Sequence, residues 1–250
     1  MKRFRYYLLI IPFVSFAQLN QTDAKGKKQG AWQKNYPGTS VLMYKGQFKD
    51  DEPIGTFVYF FESGEKKAEL QHGFPGGKTS VFLFFPNGQL LSDGFYDHEK
   101  KDSLWYNYSE AGELISAENY KNDRFEGKRM VYYPEGQLLE GKLQTRVLEY
   151  YSAGLRNGAY KEYFYNGNLK LTGTYNAGQR VGEWCEYYPT GQVMAKVNYQ
   201  RDLLHGWTTI YDRNGDMQKR TMYRDGYALT DKELKAFLER CKAQHLDPNH

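Results

Sequence analysis

Histidines and cysteines are the side chains of this 250-residue chain best suited to hold a metal or attack a substrate, and it has five and two of them. His72, His98, His205, His245 and His250 stand apart from one another, and none has a second His or Cys at metal-ligand spacing. Neither HExxH nor CxxC occurs, and there is no GxSxG elbow or phosphate-binding glycine loop. His98, His205 and His250 read as loop or tail residues, and His72 as a stand-in for a ring in a repeated column. Carboxylates are plentiful, as in Glu183 with Glu186 or Glu162 beside Lys161. Pairs scattered along strands are ordinarily solvated, and nothing in the spacing brings two of them into a cleft. The expectation is a protein with no catalytic, metal-binding or cofactor-binding residue and no enzymatic activity; a glycan-acting enzyme is the contrasting hypothesis. Cys185 and Cys241 are permitted a disulfide in an exported protein, but two packed free thiols are the simpler reading.

The glycines that a phosphate loop would use have another explanation. GEWCEYYPTG begins at Gly182, GAYKEYFYNG at Gly158, GWTTIYDRNG at Gly206, GKRMVYYPEG at Gly127 and GTFVYFFESG at Gly55. TSVFLFFPNG from Thr79 and SLWYNYSEAG from Ser103 keep the outline without the opening glycine. The unit repeats at a period of 24 residues, broken once by a seven-residue insertion around Gln144 to Tyr150. An irregular first unit opens at Gly30, which makes about eight units in all.

Each regular unit carries a turn glycine nine residues after its opening: Gly64, Gly88, Gly112, Gly136, Gly167, Gly191 and Gly215. Five residues after the opening there is always a ring, among them Tyr132, Tyr163 and Tyr187. Seven residues before the next opening stands another, as in Phe48, Tyr96, Tyr120, Tyr151, Tyr175 and Tyr199, with His72 the exception. Proline at the first bend position, as Pro189, followed by glycine at a positive-φ position closes a type I turn with a G1 bulge. The flanking runs of Tyr, Phe, Val and Thr suit a pleated surface. Each unit therefore reads as a β-hairpin that is marginal alone and leans on its neighbours. The fold class is all-β: an elongated array of about eight hairpins forming a curved antiparallel sheet. After it, Thr230 and Glu233 form a capping box, and Leu234, Phe237, Leu238 and Cys241 share one face of a short C-terminal helix. That helix is expected to cover the last strand edge.

The chain begins MKRFRYYLLIIPFVSFAQ, a basic start, a short apolar run and small residues before Gln18, which is the pattern of a signal peptide. The expected division is a signal peptide at 1–17, a linker at 18–29, the repeat domain at 30–226, and a helix with its tail at 227–250. Three of the positive charges, Lys2, Arg3 and Arg5, lie in the leader, so the formal +4 of the whole chain falls to +1 without it. Near-neutrality argues against nucleic acid or an anionic membrane as the main partner.

The units resemble the variant form of the MORN repeat, G-x-W-x-x-Y-Y-x-x-G-x-L-x-x-x-x-x-Y. Gly182, Trp184, Tyr187, Tyr188, Gly191, Val193 and Tyr199 carry it in one unit, and Gly158, Tyr160, Tyr163, Phe164, Gly167, Leu169, Tyr175 and Gly178 in another. The resemblance implies an elongated curved sheet used to hold proteins together. Bacterial chains of this kind are often labelled antitoxins of the YwqK type, a role that fits an exported chain only outside the cytoplasm. The expected function is an exported, non-enzymatic scaffold, periplasmic or associated with the outer membrane, that binds a protein partner in the cell envelope. Tyr132, Tyr163 and Tyr187 are the candidate contact residues, with packing as their alternative role. A carbohydrate-binding module using the aromatic columns and an extracytoplasmic immunity protein are the other readings.

Overall fold

The computed structural model describes residues 18–73, 77–134, 138–139 and 142–248. The expected leader and the turn glycine Gly136 lie outside these residues. The described chain forms one 19-stranded antiparallel sheet and a single C-terminal helix, Asp231–Gln244. Long strands pair with their neighbours in the chain, as Gln179–Tyr187 does with Leu169–Asn176 on one side and Val193–Gln200 on the other. The insertion interrupts this order once. Arg124–Tyr132 skips a small separate hairpin, Leu138–Leu139 with Lys142–Leu143, and pairs with Thr145–Ser152. At the start, Gln21–Thr22, within the segment read as a linker, pairs with Gln29 and Lys28 and forms the first edge.

Two kinds of turn alternate along the sheet. At the glycine turns, the Gly191 N–H donates to the Tyr188 carbonyl at 2.8 Å and the Tyr188 N–H to the Gln192 carbonyl at 2.9 Å. Gly191 sits at φ +97°, the left-handed conformation the turn requires. At the opposite margin the connections are two-residue tips with both residues at positive φ: Asp50–Asp51, His98–Glu99, Asn122–Asp123 and Arg201–Asp202 among them. These primed turns match the right-handed twist of the strands. They are held by bonds to the strand that follows the preceding tip. The Asp51 N–H donates to the Lys28 carbonyl while the Lys28 N–H donates to Asp51 Oδ1, and Asp202 does the same with Arg180.

The opening position is a third special place in most units, the one at Thr79 excepted. Pairing slips there, and Ser103, which replaces the glycine in its unit, takes φ +63°. Side chains two residues after each opening then form one row straight across the sheet, on what is here called the ring face. It runs Trp32, Gly46, Phe57, Leu70, Val81, Gly94, Trp105, Glu118, Arg129, Glu149, then Tyr160, Gly173, Trp184, Val197 and Thr208. Phe57, Val81, Trp105 and Trp184 in this row are almost wholly buried and supply the large side chains of this face's core. A Cβ added to Gly94 would lie within 2.6 Å of three ring atoms of Trp105, and one on Gly173 would meet Trp184 the same way. A large ring therefore needs glycine on the neighbouring strand, whereas the smaller Val81 tolerates Leu70 beside it.

Candidate functional site

The ring face is a packed structure with its own chemistry. The second ring column stacks edge-on against the first: Phe48 on Phe57 at 5.0 Å, Tyr96 near Trp105 at 5.2 Å, and Tyr175 on Trp184 at 5.0 Å between centroids. Cations cover these rings, with Lys101 4.4 Å from the Trp105 centroid and Arg180 4.0 Å from that of Tyr199. In the middle of the sheet the row becomes ionic. Arg129 Nε donates to Glu118 Oε1 at 2.9 Å, its Nη1 to Glu149 Oε1 at 2.6 Å, and Arg156 Nε to Glu149 Oε2 at 2.7 Å. The Tyr120 and Tyr151 hydroxyls donate to Glu118 and Glu149. Burial pushes the Glu149 carboxyl up, but the two guanidiniums outweigh it and its net shift is downward. This island is fully paired within itself.

Tyr132, Tyr163 and Tyr187 stand on the other face, here called the tyrosine face. The Tyr187 hydroxyl lies 3.3 Å from Thr172 Oγ1, and the Tyr132 hydroxyl approaches Met130 Sδ at 3.9 Å. Burial and a hydrogen bond to Asp93 push Tyr108, in the same column, up to about 12. All of them are half-buried. Beside this column runs a row of Phe82, Asp93, Tyr106, Ala117, Met130 and Leu148, joined strand to strand. The structure thus brings the three predicted tyrosines into one column but places them opposite the other repeated ring column, not stacked with it.

The sixth position of the unit has a role the sequence reading did not assign. The Tyr36, Tyr133 and Tyr188 hydroxyls each donate to a backbone carbonyl of the next unit, that of Phe60, Tyr163 and Tyr211, at 2.7, 2.7 and 3.0 Å. The signal available was the second ring of the Tyr-Tyr pair. Asp102, also missed, is buried and faces Lys78, Lys121 and Ser103; the Lys78 ammonium is the main cause holding its carboxyl down at about 2.

Histidine expectations divide. His72 packs edge-on against Phe57 at 5.4 Å, as a ring substitute should, and His98 lies in a two-residue tip. His205 is not a loop residue: it lies in the strand Leu203–Tyr211, 4% exposed, at the position Asp102 holds in its unit and, like Asp102, buried. His250 lies outside the described residues. Cys185 and Cys241 are both free thiols. Among the described residues no group of three His, Cys, Asp or Glu side chains is placed to hold a metal ion.

The helix forms as its signals predict. The Glu233 N–H donates to Thr230 Oγ1 and the Thr230 N–H to Glu233 Oε2, which closes the capping box. Cys241 is buried and Phe237 lies under the Arg224 guanidinium at 4.9 Å. Past the helix, Asp247 lines a shared cavity with Val181, Asn198 and Tyr199, so this segment extends back over the sheet by more than one unit. The last strand is covered at its C-terminal end, where the Leu229 N–H donates to the Met222 carbonyl, while Met217 to Arg220 stay exposed.

Single-layer sheet, repeated hairpin and end cap together define a β-hairpin repeat scaffold. Residues 156–177 and 180–201, two adjacent units, match the family described as MORN repeat variant, so those two hairpins are repeats of that kind. No curated protein matches the chain. Among solved structures it is similar to the crystal structure of TcdB2-TccC3, at 13% identity over 84% of this chain and 15% of that one, with a TM-score of 0.19. It is likewise similar to the Photorhabdus luminescens Tc holotoxin pore, at 13% identity over 77% of this chain and 14% of that one, with a TM-score of 0.17. The chain spans about a seventh of the length of those two structures' chains.

Proposed function

We propose that the array is an exported, non-enzymatic scaffold that holds a protein partner in the cell envelope, and that the tyrosine face is where the partner docks. The observation that carries this reading is the placement of Tyr132, Tyr163 and Tyr187 in one half-buried column beside Tyr106, Met130 and Leu148. The ring face satisfies itself with stacked rings and paired charges, whereas the tyrosine face keeps apolar side chains with polar tips at half exposure. Tyrosine supplies large contact area with few rotatable bonds and is common among interface anchors. The basic and apolar leader supports export.

The test compares wild type with a Tyr132→Ala, Tyr163→Ala pair in partner capture from envelope fractions, with circular dichroism and melting as fold controls. Capture should fall about tenfold or more while the β signal and cooperative melting remain. Unchanged capture, or loss that only tracks unfolding, would return these tyrosines to packing.

A further inference from the structure

We propose that the last hairpin carries a binding site for an acidic saccharide, a hydroxylated ring bearing a carboxylate, centred on Trp207 and Arg220. The first reason is a broken rule of the repeat. Two residues after the opening, five of the seven earlier units place a ring, Trp32, Phe57, Trp105, Tyr160 or Trp184, on the ring face, and the units with Val81 and Arg129 there carry no ring at the preceding residue either. In the last unit that position is Thr208, and the ring has moved by one residue to Trp207. Side chains alternate along a strand, so a one-residue move carries the indole to the opposite face. Its cross-strand partner there is Met222, which is buried. Packing against Met222 needs only an aliphatic side chain, such as Leu104 at the same position of an earlier unit. Trp207 instead stays half-buried and lines a cavity of about 300 Å³.

The second reason is the charge placed on that ring. Arg129, Arg156 and Arg180 of the ring face each stack on an aromatic and are each also tied to a carboxylate, in Glu118 and Glu149, Glu149, and Asp202. Arg220 stacks as closely, 4.0 Å from the Trp207 centroid, and has no carboxylate partner among the described residues. A guanidinium held flat on an indole is pre-organised to meet a carboxylate with two parallel N–H groups. Around it the cavity offers Lys196, Asn198, Thr209, Tyr211 and, at 3.6 Å from Lys196, the carboxylate of Glu183.

That mixture selects the ligand class. A purely apolar ligand would leave the Arg220 guanidinium without a carboxylate, and a compact polyanion would press against Glu183. Sugar hydroxyls donate as well as accept, so they can use Glu183 and the amide and ammonium donors together, while the sugar carboxylate meets Arg220. The site lies at the C-terminal end of the tyrosine face, away from Tyr132 and Tyr163 though its Tyr211 continues their column. Its test uses no protein partner, so its failure and that of the protein-docking reading are distinguishable.

The test follows the indole N–H resonance of Trp207 in the ¹⁵N-labelled full chain during titration with trigalacturonate, its methyl ester and acetate. Trigalacturonate should shift that resonance at millimolar concentration, with the ester and acetate at least about tenfold weaker. Arg220→Met, an exposed position whose loss should leave the circular dichroism unchanged, should weaken trigalacturonate by about tenfold or more. Lys196→Met gives a second reading of the same site and should weaken it less. No shift with trigalacturonate, an equal response to the ester or to acetate, or undiminished binding by folded Arg220→Met would each overturn the proposal.

Discussion

Glycine beside a ring is the rule that decides stability at single positions. Gly173→Leu would drive a side chain into Trp184, whose nearest ring atom is 2.1 Å from the added Cβ, and should cost on the order of 3 kcal/mol or more. Trp184→Val alone should cost about 3 kcal/mol through the space it leaves. Together they recreate the Leu70–Val81 pair the molecule already uses, so urea unfolding should show the double variant well above the sum of the two losses. Additive losses would mean that the glycine serves the backbone and not the ring. A different rule governs Gly191, where a Cβ would meet only Asn168 Nδ2 at 3.9 Å but φ is +97°. Gly191→Val should cost about 1–3 kcal/mol through strain, and Thr190→Val noticeably less; equal losses would contradict the turn. Only the second kind of glycine was legible in the sequence, because it recurs in every regular unit. Gly46, Gly94 and Gly173 recur only where the next unit places Phe57, Trp105 or Trp184 at its ring position, so they show as a pair correlation and not as a column.

Hairpins were legible as elements because their turns have chemistry of their own: proline or asparagine before a positive-φ glycine announces each one. The faces were not. The register slips between Glu186 and Tyr187, and again between Val197 and Tyr199, so simple alternation cannot be carried through a unit. Rings that look equivalent in sequence, Tyr187 and Tyr199, consequently end on opposite sides. The joint at the insertion has a further device, since Arg124–Tyr132 pairs with Thr145–Ser152 across the inserted segment. There Arg129 lies opposite Glu118 on one side and Glu149 on the other, and a shift of Thr145–Ser152 by one residue would break the Arg129–Glu149 pair by turning Glu149 to the other face. Asp102 does comparable work between strands at the tip margin, bonding Lys78 of the preceding unit and Lys121 of the following strand. Its folded pKa of about 2 lies below the usual value near 3.9 for an unfolded aspartate. The pair's contribution is thus present above about pH 4 and is lost as pH falls towards 2. Asp102→Asn should cost about 1–2 kcal/mol at pH 7, with Lys121 largely exposed and contributing little. The gap between variant and wild type should close by about pH 2 in acid unfolding curves; a gap that persists there would show that the carboxylate's charge is not what stabilises it.

The whole molecule is shaped by having one layer. A compact 29.2 kDa monomer exposes about 11,500 Å², and this chain exposes 17183 Å². Among the described residues the main strand contacts run between neighbours along the sheet, so stability accumulates by neighbours, as in other repeat arrays. Burial of Trp105 and Phe57 is reached without a second sheet, by rings on adjacent strands closing over one another. A 19-stranded sheet at roughly 4.8 Å per strand runs on the order of 70–90 Å along its arc. A compact 250-residue domain would have a radius of gyration of roughly 18 Å, and an array of this length should exceed about 22 Å even allowing for the coiling of the sheet. Small-angle scattering of the monomer should therefore give a skewed distance distribution with a long tail. A symmetric distribution with a radius near 18 Å would mean that the sheet closes on itself, which would hide one face and leave a docked partner only the other.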